Sequence, residues 1–397
     1  MSQALETGVQ EFILQLKRRQ REGSIQTSRK TLELLRQVVS AERRVNGPDL
    51  RAAVRRVGRR LLEAKPTELS VGNMVRRALH IIREEEQQLL LGGSGYDEDF
   101  PDEEEGDLDE EGGVDEDDNF EDDEPTTRMM SRTRSLASLL DQGRVGNTRG
   151  RSASKDMSRK LKHSVMLAIN DLIDDLDNIS SQIAEQAIWH IHASEVILTF
   201  GNSPTTKAFL QEAAKKRSFA AVVAEAAPSY SGHTMARELA ALGVQTTAIT
   251  DSAIFAMMAR VNMVVVACSA VLANGGIIGP VGVHMVALAA RQHAVPFVVL
   301  TGLHKLSPEQ PFDPDVTFND IKNPAALLDF AALAEGKQTQ EGGGNLHVPN
   351  PTFDYVPPEL ISLFITDSGG HCPSYVYRLL AEYYSPEDYN LNDEKAQ

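Results

Sequence analysis

The chain has 397 residues, of which 41% are apolar and 24% are charged, so it can bury a sizeable core and is not a wholly disordered protein. No apolar run reaches the length of about 18 residues that a membrane-spanning helix needs, and the first residues show no export signal. The two cysteines, Cys268 and Cys372, exclude a disulfide framework, zinc fingers and iron–sulfur clusters, and they indicate a reducing compartment.

Most of the formal net charge of −17 comes from one short segment. Residues 97–124 contain 19 acidic residues and no basic one, which leaves 38 acidic and 40 basic residues elsewhere. The rest of the chain is therefore nearly neutral, and its net charge does not predict an acidic working surface.

Residues 5–91 show the apolar spacing of helices, with breaks at residues 46–48 and 65–66. The block has 18 basic and 11 acidic residues, a pattern compatible with nucleic-acid binding as well as with solvated helix faces. However, Phe12 is the single aromatic residue in 1–91, whereas a nucleic-acid surface would interleave aromatic and basic side chains. We therefore predict solvated helix faces and no direct nucleic-acid binding.

Residues 92–156 are predicted to form one disordered insert, acidic at first and then rich in Ser and Arg. Like charges repel one another there, and few apolar residues are present to bury. Helical spacing returns over residues 157–193. The insert therefore interrupts a single N-terminal helical domain, which we assign to residues 1–91 and 157–193.

From residue 195 onward, short apolar runs alternate with segments of helical length, among them 204–216, 233–242 and 281–293. The predicted strands are Val196–Phe200, Ala220–Ala224, Thr246–Ile249, Met263–Ala267, Phe297–Leu300 and Leu363–Ile365. This alternation is typical of a doubly wound parallel sheet with both faces covered, in which ligands bind beyond the carboxyl ends of the strands. We assign this α/β domain to residues 194–390, followed by a tail at 391–397.

Two strand ends carry residues that suit ligand binding. The first strand is followed by Gly201, Asn202 and Ser203, which could cradle a phosphate or could simply form a turn and a helix cap. The fourth strand is followed by Ser269 and then by Asn274 and Gly275, where glycine permits close approach of the backbone.

Other reactive side chains are better explained by structure than by chemistry. His190 and His192 precede the first strand without a nearby third ligand, so packing or an interface is favoured over a metal site. Cys268 lies in an apolar run and is expected to be a buried structural thiol. Lys305 is expected to be a surface lysine.

Several segments resemble a known family. Ala267–Pro308 and Asn350–Leu380 are similar to the regulatory subunits (the alpha, beta and delta type) of the guanine-nucleotide exchange factor that serves translation initiation factor two. Three shorter segments are similar to the beta branch of that family, namely Trp189–Thr199, Ile249–Val261 and Ser374–Arg378. The resemblance covers residues 5–91 and 157–390 and leaves out the acidic insert.

The resemblance implies a helical N-terminal domain followed by a Rossmann-like α/β domain. It also implies a non-catalytic cytosolic subunit, without cofactor, that assembles with alpha, gamma, delta and epsilon subunits, the delta-type paralogue being the closest partner. Initiation factor two would be a further partner, because the regulatory core senses phosphorylation of its alpha subunit. Aromatic side chains are enriched at interfaces because their rings give a large contact area at a small cost in conformational entropy. Together with the implied assembly, this suggests four interface residues. These are His190, His192, Tyr375 and Tyr377.

The family is related to aldose–ketose isomerases that act on phosphorylated ribose derivatives, which gives an alternative function. Those enzymes carry a Cys, an Arg, an Asp and a Lys where this chain has Gly201, Ala227, Ser269 and Pro280. Isomerisation needs an acid and a base to move a proton between carbons, and these residues supply neither. We therefore predict a protein that is not an enzyme. A degenerate sugar-phosphate pocket is expected at Gly201, Asn202, Ser203, Ser269, Asn274 and Gly275.

Overall fold

The computed structural model describes residues 3–18, 23–42, 46–92, 150–329 and 347–391. Its N-terminal helices are α1 (Gln3–Lys17), α2 (Ser24–Ala41), α3 (Gly47–Ala64), α4 (Leu69–Gly92) and α5 (Gly150–Glu185). Because α5 begins at Gly150, residues 150–156 are helical, although the sequence placed them in the disordered insert. The rest of that predicted insert, residues 93–149, lies outside the described residues.

The N-terminal helices pack through faces that their sequences define. In α3 the buried residues Leu50, Val54, Val57 and Leu61 recur every three or four positions, which aligns them along one side of the helix. Gly58 lies so close to α4 that an added Cβ would be 2.5 Å from Cγ1 of Val75. The two helices therefore pack against each other without room for a side chain at this position.

The α/β region contains the strands of the main sheet and the helices that cover it. The strands are β1 (Val196–Phe200), β2 (Ala220–Ala224), β3 (Gln245–Ile249), β4 (Met263–Ala267), β7 (Phe297–Leu300), β9 (Leu363–Thr366) and β10 (Gly369–His371), and the remaining numbers belong to the strands of a second sheet. The helices are α6 (Ala187–His190), α7 (Pro204–Lys216), α8 (Ser231–Ala241), α9 (Ile254–Met258), α10 (Val283–Gln292), α11 (Pro314–Thr317) and α12 (Val376–Tyr383).

The main sheet has the order β10-β9-β7-β4-β1-β2-β3. Six of its strands are parallel neighbours, and β10 pairs antiparallel with β9 at one edge. The predicted parallel sheet and all six predicted strands are confirmed. Strand β10 was not predicted, because its residues Gly369–His371 include two glycines and no apolar run.

A second, antiparallel sheet was also missed. It consists of β5 (Ala270–Val271), β6 (Ile277–Pro280) and β8 (Phe353–Val356), with β6 in the centre. Its strands are two to four residues long, too short for a sequence pattern to identify. Strands β5 and β6 directly follow β4 in the chain. The turn between them, Asn274–Gly275, therefore lies beyond the carboxyl end of the main sheet.

The two faces of the main sheet belong to two apolar cores. Ile197 and Val265 belong to the first core, which also contains buried residues of α1–α5, α7 and α8. Leu198 and Val264 belong to the second core, with buried residues of α9, α10 and α12. Because neighbouring residues of one strand enter opposite cores, the inner strands are largely apolar, whereas the edge strand β3 contains polar residues and is largely exposed. Leu391, which the sequence placed in the tail, is buried in the first core.

Candidate functional site

Gly201 marks the carboxyl end of β1, where the backbone turns sharply. Its φ is +65°, a conformation that favours glycine, and its N–H donates to the carbonyl of Ala224 at 3.2 Å. An added Cβ would lie 3.1 Å from Oγ of Ser231 and 3.3 Å from Cβ of Ala226. Backbone conformation and crowding therefore both oppose a larger side chain at this position in the present arrangement.

The residues that follow Gly201 form a helix cap. Oγ of Ser203 accepts a hydrogen bond from the N–H of Thr206 at 3.4 Å, at the start of α7. Asn202 is exposed beside it. The predicted turn with a helix cap is therefore present in this segment.

Ser269 lies just before β5, and Asn274 and Gly275 lie in the turn between β5 and β6. The Ser269 N–H donates to the carbonyl of Ile278 at 2.7 Å, and Nδ2 of Asn274 donates to the Tyr355 hydroxyl at 2.6 Å. Gly275 has a φ of +82°, and a Cβ there would be 2.6 Å from the carbonyl oxygen of Pro373. These predicted pocket residues therefore contact β8 and the segment before α12, whereas Gly201 contacts the end of β2.

Two carboxylates that sequence analysis did not assign to the site hold the loops at this edge. Asp251, after β3, accepts the N–H groups of Ala226 at 2.9 Å and Ala227 at 2.7 Å. Oδ2 of Asp354 accepts the N–H groups of Gly282 at 2.7 Å and His284 at 3.3 Å, at the start of α10. Because a carboxylate already caps this helix start, it offers no unfilled place for another anion.

An imidazole–carboxylate pair lies at the end of β2. Nε2 of His233 is 3.3 Å from Oε2 of Glu225, and the ring of Tyr230 stacks on His233 with 5.5 Å between ring centroids. Glu and His side chains paired in this way can exchange protons when a substrate is placed beside them. In this structure the Glu225 carboxylate faces an imidazole of its own chain.

Lys305 corrects a prediction, because it is buried and not on the surface. Its Nζ donates to the carbonyl of Cys268 at 2.8 Å, and burial lowers the pKa of its ammonium group. Burial also raises the pKa of the Cys268 thiol, in line with the expected structural cysteine. Next to them, burial and the Lys305 charge hold the pKa of His304 well below 6.5. This part of the site is therefore a buried polar layer and not an exposed anion site.

The four predicted interface residues lie near one edge of the main sheet. His190 is close to β10, since its Cε1 lies 3.9 Å from the position of a Cβ on Gly370. Burial and the neighbouring His192 lower the pKa of His190, whereas His192 is exposed. Tyr375 stacks on His371 of β10, with 4.9 Å between ring centroids, and Tyr377 is 77% exposed on α12.

A groove that the sequence did not reveal lies between α9 and α10. It has a volume of about 630 Å³ and lies beside the carboxyl end of β3, where Asp251 and Ser252 contribute to its wall. Its apolar side chains are unusually accessible, with Phe255 57%, Met285 44% and Leu288 52% exposed. None of the six predicted pocket residues lines this groove.

Within the described parts of the chain, no group of three or more His, Cys, Asp and Glu residues is arranged to hold a metal ion. In the same parts, no helix is long and apolar enough to cross a membrane. Cys268 and Cys372 are both free thiols.

Comparison with known proteins gives matches along most of the chain. A sequence model of the Initiation factor 2 subunit family matches residues 20–373. The chain is 44% identical to the translation initiation factor eIF2B subunit beta of Dictyostelium discoideum, over 96% of each chain. It is 28% identical to a ribose 1,5-bisphosphate isomerase of Archaeoglobus fulgidus, over 56% of this chain and 68% of that relative.

Solved structures show the same fold. The crystal structure of eIF2B beta from Chaetomium thermophilum is similar with a TM-score of 0.69 and 25% identity, over 97% of this chain and 94% of that chain. A chain of the tetrameric eIF2B-beta2-delta2 complex from C. thermophilum is similar with a TM-score of 0.65 and 24% identity, over 96% of both chains.

Proposed function

The chain belongs to the initiation factor 2 subunit family, and from this membership we propose that it is a non-catalytic regulatory subunit of a guanine-nucleotide exchange factor. That factor returns translation initiation factor two from its GDP-bound to its GTP-bound form. One observation carries the proposal, the 44% identity to an eIF2B beta subunit over 96% of both chains. The resemblance to the beta branch, predicted from short segments, is confirmed by this match. The similarity to the isomerase is lower and covers 56% of the chain.

In this function the chain provides binding surfaces. The regulatory core binds initiation factor two through its alpha subunit, and phosphorylation of that subunit changes the binding mode and inhibits exchange at the gamma and epsilon subunits. Such regulation requires that one partner bind two states of the assembly with different affinity. It requires no bond chemistry at the carboxyl ends of the strands.

The strand ends support a protein without isomerase activity. Gly201 has no side chain and little room for one, and Ala227 has no charge that could hold a phosphate. The hydroxyl of Ser269 cannot act as an acid or base near neutral pH. At Pro280, in β6, the side chain is apolar. The four groups that such an isomerase uses are thus replaced together.

We further propose that a delta-type paralogue covers the groove between α9 and α10. Three large apolar side chains, Phe255, Met285 and Leu288, are exposed there around a concave surface, as expected for the centre of a protein interface. The solved beta2-delta2 complex of the similar fungal protein supports this choice of partner. Two such pairs would meet across a two-fold axis, join the alpha subunits and work in the cytosol.

Co-expression with the other subunits tests the proposal. We expect the chain to co-purify with a delta-type subunit and to make GDP release from initiation factor two sensitive to phosphorylation of its alpha subunit. An assembly lacking this chain serves as the control and should lose that sensitivity. The same preparation should not interconvert ribose 1,5-bisphosphate and its ketose. Isomerase turnover above a control without protein would contradict the proposal. So would GDP release whose sensitivity to phosphorylation is the same with and without this chain.

A further inference from the structure

The last described residues, Tyr384–Leu391, connect the two apolar cores, and we name them the C-terminal strap. At one end Tyr384 is fully buried in the second core, and its hydroxyl donates to the carbonyl of Leu306 at 2.8 Å. At the other end Leu391 is buried in the first core, which the N-terminal helices share. The strap therefore joins the side of the sheet that α12 covers to the helical region.

The centre of the strap is a carboxylate bound by two arginines of the helical region. Asp388 has 0% of its surface exposed, and its Oδ1 accepts from Nη2 of Arg55 at 2.5 Å. Arg83 donates from Nε to Oδ2 at 3.0 Å and from Nη2 to Oδ1 at 3.1 Å, and it also pairs with Glu387. Since Arg55 lies on α3 and Arg83 on α4, one buried carboxylate binds both helices.

Further arginines bind the backbone of the strap and of the residue before it. Nε of Arg59 donates to the carbonyl of Leu391 at 2.6 Å, and Nε of Arg76 donates to that of Tyr389 at 3.2 Å. Arg77 donates to the carbonyl of Tyr383 at 3.2 Å and lies 4.6 Å above its ring. All these donors come from α3 and α4, so the strap is held to the helical region mainly through charged hydrogen bonds.

This arrangement depends on the distance between the strap and the helices. A buried carboxylate is stable only while its partners stay within hydrogen-bonding distance, because an unpaired charge in the interior is costly. Apolar side chains can slide past one another at little cost, whereas a carboxylate bound by two guanidinium groups fixes both position and direction. The strap can therefore keep its present path only when α3 and α4 keep theirs.

We propose that the C-terminal strap fixes the position of α3 and α4 relative to the α/β region, with Asp388 as the positioning residue. The helical region has other attachments to the α/β region, because α5 and α7 both contribute buried residues to the first core and Nδ2 of Asn73 on α4 donates to the carbonyl of His304 at 3.1 Å. Loss of the Asp388 contacts leaves these attachments in place and loosens α3 and α4 where the strap contacts them. The strap is thus a conformational device that makes two packed regions move as one.

Hydrogen exchange followed by mass spectrometry on the full-length chain, in the complex with which it purifies, tests this role. In Asp388→Ala we expect exchange in α3 and α4 to become faster by on the order of a hundredfold, since removal of one partner of a buried ion pair is strongly destabilising. Strands β1, β2 and β4 should stay protected. Asp388→Asn keeps the shape of the side chain and should give a smaller increase, so it serves if the alanine variant does not fold. Glu382→Gln, which removes the exposed partner of Arg378, is the matched control and should behave as the wild type.

Two outcomes of this experiment would overturn the proposal. Faster exchange confined to residues 384–391 and α12 would show that the strap stabilises only itself. An equal increase across the main sheet would show that the strap belongs to one indivisible core. As a second measurement, spin labels at Leu14 on α1 and at Leu242 after α8, in a Cys372→Ser background, should give a broader distance distribution in Asp388→Asn than in the wild type. An unchanged distribution would equally contradict the proposal.

Discussion

The helical region and the α/β region use their side chains in opposite ways at the surface. In the helical region, several basic residues form ion pairs with carboxylates of the chain itself. Arg60 pairs with Glu6, Arg51 with Glu86, and Arg55 with Asp388. In the α/β region, Phe255, Leu288 and other apolar side chains remain exposed on α9 and α10. The basic residues of these pairs thus contribute to contacts within the chain, whereas the apolar residues on α9 and α10 remain accessible.

This contrast shows that residue type alone does not identify a partner surface. A block of 18 basic and 11 acidic residues is compatible with binding an acidic ligand, yet several of its arginines lie within hydrogen-bonding distance of carboxylates 35 to 333 positions away. Apolar segments are usually assigned to a core, yet one side of α10 is left uncovered. The following experiments test each side of this contrast, from the largest expected effect to the smallest.

Replacement of a buried arginine should have the largest effect. Arg55→Ala leaves the fully buried Asp388 with one arginine partner fewer, and we expect the free energy of unfolding to fall by about 3 kcal/mol. Urea denaturation followed by circular dichroism measures the change. A loss below about 1 kcal/mol, the range of exposed ion pairs, would show that the buried pair of Arg55 and Asp388 stabilises the fold no more than a surface pair does.

A charge in the apolar groove should break assembly without affecting folding. For Leu288→Asp we expect the affinity for the delta-type partner to fall by at least about thirtyfold, which corresponds to about 2 kcal/mol, because a carboxylate would be buried at the interface. Leu14→Asp on α1 is the matched control, since Leu14 is 50% and Leu288 52% exposed. Analytical ultracentrifugation of co-expressed subunits gives the affinities. Equal weakening by the two variants would argue against the groove as the partner surface.

Acid should weaken the contact between the two regions through His304. Burial and Lys305 lower the pKa of His304 well below 6.5, and the ring lies 3.4 Å from Oγ of Ser24 on α2. The unfolded chain therefore binds the proton first, and stability present at neutral pH is lost as the pH falls below about 6.5. Between pH 7 and 5.5 this group should contribute a loss of about 1 kcal/mol.

The pH dependence can be assigned with two variants. His304→Gln should remove about 1 kcal/mol of the difference in unfolding free energy between pH 7 and 5.5. His163→Gln, which changes an exposed histidine on α5, is the matched control and should leave that difference as in the wild type. Chemical denaturation at both pH values measures this difference. If His304→Gln showed the same difference as the wild type, the assignment to His304 would be contradicted.

The smallest effect is expected for an arginine at the surface. Arg378 pairs with Glu382 at 2.9 Å, but both side chains are exposed to solvent, which screens the interaction. Arg378→Ala should therefore leave the urea midpoint of unfolding at the wild-type value, measured as for Arg55→Ala. A loss as large as that of Arg55→Ala would remove the distinction between internal and surface arginines.

Much of the fold could be predicted because it depends on short stretches of sequence. Strands β1, β2, β4, β7 and β9 are largely apolar on both faces, so their runs are visible without knowledge of their neighbours. Gly201 and Ser269 could be placed at strand ends for the same reason. The burial of Lys305 could not be predicted, because it depends on a carbonyl 37 positions away and on the helices that cover it. The groove could not be predicted either, because it forms only where α9 and α10 lie side by side.

The sequence by itself determined the positions of the six parallel strands, the family and the absence of a reactive side chain at Gly201, since each of these is a property of consecutive residues. The tertiary structure alone decided which charges meet. Asp388 and Arg55 are 333 positions apart, and neither residue type nor spacing indicates that they form a pair. Bringing such distant groups together requires the whole chain to be packed first, because only the burial of both cores offsets the entropy of closing so long a loop. The strap and its arginines are therefore a consequence of the fold that no local pattern encodes.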